Sequence, residues 1–95
     1  MIPVVEWCRV AERDHTRSRR QYAHTGHVKG VICVARAYYT LPVKYRVGVL
    51  LHEFGHLAGA RDEMDADALA FKLFGVEVER ADSVWGKDLE VVRGI

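Results

Sequence analysis

A chain of 95 residues has interior enough for one hydrophobic core and too little for two, so residues 1–95 are expected to form a single domain. Its hydrophobic share of 49% excludes an intrinsically disordered segment. No apolar run approaches the roughly 20 residues that span a bilayer, which argues against a membrane partner.

The opening segment Met1-Ile2-Pro3-Val4-Val5-Glu6-Trp7 lacks the basic start and apolar stretch of a secretory signal, so a cytoplasmic location is expected. Val4 to Val10 is rich in β-branched and aromatic residues and reads as a first strand. The charged stretch 11–20 then reads as a loop or short helix. The net charge of +1 hides an asymmetry, with a basic excess in residues 1–47 and an acidic excess in residues 48–95. The basic excess is densest in Arg13-Asp14-His15-Thr16-Arg17-Ser18-Arg19-Arg20, where no aromatic residue is interleaved. That run reads as a solvated face in preference to a nucleic-acid contact. Cys8 and Cys33 stand outside any C-x-x-C pair, and two buried thiols are the reading preferred to a disulfide or a metal site.

Tyr22-Ala23-His24 and Val31-Ile32-Cys33-Val34-Ala35 flank Thr25 to Gly30, whose two glycines suggest a hairpin or tight connection. Thr40 as N-cap and Pro42 in the first turn predict a helix running to about Ala58. Val43, Val47, Leu50, Phe54 and Leu57 recur at spacings of four and three, and this stripe is expected to pack on the sheet. Gly59 should stop the helix, Asp62 should cap a second from about Glu63 to Phe74, and Gly75 should close it. So short a connection predicts an antiparallel helix pair. Beyond it, Val76-Glu77-Val78-Glu79 alternates as an edge strand, and Asp82 is expected to cap a short helix through Val84, Trp85, Leu89 and Val92. The expected fold class is α+β, a small twisted sheet packed on a site-bearing helix that a second, antiparallel helix follows.

The chemistry lies in His52-Glu53-Phe54-Gly55-His56. Histidines four apart on a helix stand one turn above each other, so two imidazoles can reach one Zn2+ ion from the same side. Glu53, about 100° round the helix, is placed to take a proton from a metal-activated water. On a helical wheel the His pair points away from the Val43/Val47/Leu50/Phe54/Leu57 stripe, so the core is served by other residues, and a metal site is preferred to the blander reading of two exposed histidines on a solvated face.

A tetrahedral site needs a third protein ligand, and two residues compete for it. Asp62 completes H-E-x-x-H-x-x-G-x-x-D, which resembles the metzincin pattern, although no methionine follows Met64 to form the turn those enzymes carry. Glu63 is favoured by the helix pair: with a turn near residue 60, position 56 faces about 63 and position 52 faces about 67. Asp67 would then accept the outer N–H of His52 and fix its tautomer.

Glu63-Met64-Asp65-Ala66-Asp67 is similar to the E-x-x-A-D signature of gluzincin metallopeptidases, and Ala68-Leu69-Ala70 continues in the manner of the minimal and ImmA/IrrE-like members. The resemblance covers mainly residues 40–75. It implies a minimal zincin-like domain and a zinc-dependent endopeptidase acting on a protein or peptide substrate. Zinc would sit on His52, His56 and Glu63, with Asp67 supporting the first histidine. It also implies that Val31–Ala35 forms the rim of the cleft and pairs with an extended substrate. Tyr38, Tyr39, His24 and His27 are all open as oxyanion stabilisers. The competing readings are a non-catalytic zinc module binding a regulatory partner protein and, more weakly, a nucleic-acid-binding accessory protein through Arg9–Arg20.

Overall fold

The computed structural model describes residues 4–18, 21–83 and 86–92, with side chains described there except at 63, 80–83 and 86–88. The described chain is α+β. Strand β1 (Val4–Trp7) leads into helix α1 (Arg9–Ser18), and β2 (Ala23–His24) and β3 (Val31–Val34) follow. After a 3-10 turn over Arg36–Thr40 come α2 (Val43–Leu57), α3 (Glu63–Phe74) and the strands β4 (Val78–Ser83) and β5 (Gly86–Val92). Among the described residues, no helix is long and apolar enough to cross a membrane.

The first sheet is mixed, in the order β1-β3-β2. β1 runs parallel to β3, with Val4 opposite Val31 and Trp7 opposite Val34. β2 is antiparallel, with Ala23 opposite Val34 and His24 opposite Cys33. The first strand is shorter than its composition suggests, because Cys8 ends it and the backbone turns directly into α1: Glu12 N–H already bonds the Cys8 carbonyl. β3 is the middle strand. The expectation that Val31–Ala35 offers a free edge to a substrate is therefore overturned, since β1 takes one side of it and β2 pairs Cys33 and Val34 on the other.

Alternation along β3 divides its side chains between two faces. Ile32 and Val34 enter the core with Tyr22, Tyr38, Leu41, Tyr45, Val49 and Leu89, while Cys33 is equally buried outside that cluster. Tyr38 O–H donates to the Arg46 carbonyl at 2.9 Å, and burial pushes its phenol up to about 12. Glu12 binds α1 to the sheet margin by accepting from Trp7 Nε1 at 2.6 Å and from the Arg36 backbone N–H at 3.0 Å. The Arg36 guanidinium lies 4.8 Å from the Trp7 ring centroid.

The tail departs from expectation. Leu89 and Val92 lie on β5, which pairs antiparallel with β4 so that Glu79 faces Val91 and Arg80 faces Glu90. The spacing of 85, 89 and 92 suits a helix, but β-branched Val91 and Val92 favour extended backbone, and the β4 ladder satisfies it. Val84 and Trp85 lie outside the described residues. Leu89, 2% exposed, joins the main core.

Candidate metal centre on the helix pair

Helix α2 begins without a side-chain cap. Pro42 is its N-cap, the Pro42 carbonyl accepts from Tyr45 and Arg46 N–H, and Thr40 Oγ1 donates back to Ala37. Its end follows from one glycine. Gly59 adopts φ +111°, which lets Ala60 N–H reach the Gly55 carbonyl and Gly59 N–H reach His56, a Schellman-type closure. That turn carries the Ala60 carbonyl round to 3.3 Å from His56 Nδ1. α3 starts as the sequence predicts: Asp62 Oδ1 accepts from Asp65 N–H at 2.8 Å, and Gly75 closes the helix at φ +69°.

The face of α2 that is buried is not the aliphatic stripe. Tyr45, Gly48, Val49, His52, Glu53 and Gly55 are buried. Val43 is exposed, and Leu50 and Leu57 only border the core. The blander alternative of two exposed histidines on a solvated face thus does not hold, with His52 only 2% exposed. The physical cause is backbone approach at two glycines. A Cβ on Gly55 would stand 2.4 Å from the Ala66 carbonyl of α3, and one on Gly48 would stand 2.6 Å from the Glu90 carbonyl of β5. With Ala66 and Ala70 fully buried on α3, small residues bring α3 and β5 down on either side of the histidines.

This packing supplies partners to the imidazoles. His52 Nδ1 lies 2.8 Å from Asp67 Oδ1. An ionised carboxylate only accepts, and so does a backbone carbonyl, which assigns an Nδ1 proton to His52 toward Asp67 and to His56 toward Ala60. In those tautomers both Nε2 atoms carry lone pairs, and they face each other at 3.2 Å across rings inclined at 83°. Two nitrogens at ordinary zinc distances on adjacent corners of a tetrahedron stand about 3.3 Å apart, so the pair fits one Zn2+ ion in both spacing and donor type.

The other expected residues are placed as follows. Glu53 is buried at 9% exposure. Asp62 is exposed at the start of α3, with one carboxylate oxygen engaged as its cap. Glu63 is the first residue of α3, and its side chain lies outside those described. Of the oxyanion candidates, Tyr38 is buried with its hydroxyl turned to Arg46, Tyr39 is exposed, and His24 and His27 belong to the sheet end of the molecule.

Two features were missed in the sequence. Glu90, in a tail given no chemistry, brings Oε1 to 3.6 Å from His52 Nε2. Its only signal was an acidic residue inside a Leu-x-Val alternation. The second is a group formed by Cys8, His24 and Cys33, whose ligand atoms all lie within 4.8 Å of one another and which could hold a metal ion. Burial, with the neighbouring Cys8 thiol, pushes Cys33 up to about 11, and burial lowers His24 below its ordinary value. Comparison with protein-family models, with curated proteins and with solved structures finds no match to this chain.

Proposed function

We propose that this chain is a zinc-dependent metallopeptidase of minimal, gluzincin-like type, with His52 and His56 as nitrogen ligands, Glu63 as the carboxylate ligand and Glu53 as general base. The observation that carries the reading is the opposition of two Nε2 lone pairs at 3.2 Å, with both Nδ1 protons directed at oxygen acceptors. Two acceptors held face to face repel unless a cation or a proton lies between them. The carboxylate behind His52 adds to it, since ligating histidines characteristically donate their outer N–H to such a group.

A bound zinc ion supplies Lewis acidity and lowers the pKa of a water at its open position. The residues do the remainder. Asp67 holds His52 in one tautomer and orientation, and the Ala60 carbonyl does the same for His56. Glu53, next to His52 in sequence and shielded from bulk water, takes the proton from the attacking water and returns it to the leaving amine.

Glu90 favours a second reading. A carboxylate already 3.6 Å from His52 Nε2 can close the coordination sphere as a fourth protein ligand, and a closed site is structural, not catalytic. The chain would then be a zinc-stabilised module for a partner protein.

The test is zinc content and hydrolysis of an unfolded protein substrate, measured in parallel. Glu53→Gln should retain zinc and lose cleavage, whereas His56→Ala should lose cleavage together with the zinc held at the helix pair. Undiminished cleavage by the Glu53→Gln protein would end the peptidase reading. Zinc retained without cleavage in the wild type, with cleavage gained in Glu90→Gln, would establish the closed module.

A further inference from the structure

We propose that Cys8, His24 and Cys33 form a second metal site, separate from the helix pair and selective for a thiophilic cation of the zinc class. Three segments converge to make it. His24 and Cys33 are directly opposed on antiparallel β2 and β3, so their side chains leave the same face of the sheet. Cys8 follows β1, the neighbour on the other side of β3, and comes up beside them. Cys8 Sγ lies 3.7 Å from His24 Nε2, against about 3.6 Å for a sulfur and a nitrogen on adjacent corners of a tetrahedral zinc site.

Two details distinguish this group from a chance meeting of core thiols. Cys8 immediately precedes the ten-residue helix α1, and Ala11 N–H donates to its sulfur at 3.2 Å, so the first turn of the helix fixes where the sulfur stands beside His24. Behind the imidazole, Asp14 Oδ2 lies 3.7 Å from His24 Nδ1, and that nitrogen is a buried atom without a hydrogen-bond partner. A small shift on metal binding closes the gap and gives the carboxylate–histidine–metal relay that orients such ligands. Binding releases the two thiol protons to solvent, so affinity falls as pH falls. The fourth position belongs to water or to His27, whose ring centroid is 6.0 Å from that of His24. Two sulfurs make this donor set softer than that of the helix pair, which selects zinc or cuprous ion over magnesium or calcium.

Cobalt(II) titration of the reduced full-length chain under nitrogen tests the proposal. The wild type should develop a thiolate-to-cobalt charge-transfer band that Cys33→Ser abolishes and that survives in the His52→Ala/His56→Ala double variant, whose lost ligands are nitrogens. No band in the wild type, or an undiminished one in Cys33→Ser, overturns it. A measurement needing no variant runs alongside. Zinc should slow iodoacetamide alkylation of Cys8, the more accessible of the two thiols, by an order of magnitude or more, and a chelator should reverse this; an unchanged alkylation rate at Cys8 overturns the proposal. Because the band reports sulfur ligation only, its failure leaves the helix-pair reading untouched, and the converse holds.

Discussion

On the helix pair, two histidines one turn apart on a single helix face each other, and their supports arrive from α3 and from the Gly59 turn. At the sheet end, a cysteine, a histidine and a second cysteine are drawn from three separate segments. Both places set a carboxylate behind an imidazole, at 2.8 Å for Asp67 and His52 and at 3.7 Å for Asp14 and His24. The difference is one of local against non-local construction. Helical periodicity writes the first into five consecutive residues, whereas strand register makes the second from residues that no short motif joins.

That contrast can be broken at a chosen end. The largest effect is expected from Gly55→Ala. The new Cβ meets backbone of α3 at 2.4 Å, so the helices must separate at a cost of about 3 kcal/mol, measured by denaturant unfolding. Asp67→Asn comes next. It leaves the helices packed but removes the charge that fixes the His52 tautomer, and zinc affinity should fall about 10- to 100-fold in a competition assay with a chromophoric chelator, with the cobalt band at the sheet end unchanged. Tyr38→Phe acts where the core meets the first sheet. Losing the hydroxyl bond to Arg46 at 2.9 Å should cost about 1 kcal/mol and leave zinc binding alone.

The smallest effect lies at the margin of the sheet. The Arg36 backbone N–H, and then the Trp7 indole, hold the Glu12 carboxyl below its ordinary 4.5. A carboxyl lowered on folding contributes stability that is present above its unfolded value and is lost as pH falls through the lower folded-state value. Glu12→Gln should therefore flatten the acid limb of a thermal-melt series and leave the melts near neutral pH little changed.

Much of the helix pair was legible. Asp62 as cap, Gly59 and Gly75 as stops and the approach of His52 to Asp67 each rest on a local rule and a short connection. The burial of α2 was not. Counting aliphatic side chains picks out Val43, Val47, Leu50, Phe54 and Leu57, yet contact with α3 and β5 runs along the side where Gly48 and Gly55 present no side chain. An absent side chain contributes nothing to a hydropathy pattern and a great deal to how near two backbones can come. Glu90 escaped notice for a related reason: a strand read as a helix turns its residues to the wrong neighbours. The sheet-end group was invisible because Cys8 and Cys33 become adjacent only through a parallel register with β2 on the far side.

The glycine contacts of α2 also set where Glu90 can stand. The last strand comes near His52 by laying its backbone against Gly48, and Glu90 Oε1 then lies 3.6 Å from His52 Nε2. A side chain at position 48 would lift that strand and draw the carboxylate away without altering either histidine. The absence of one methyl group on α2 thus governs a spacing between two groups that it never touches.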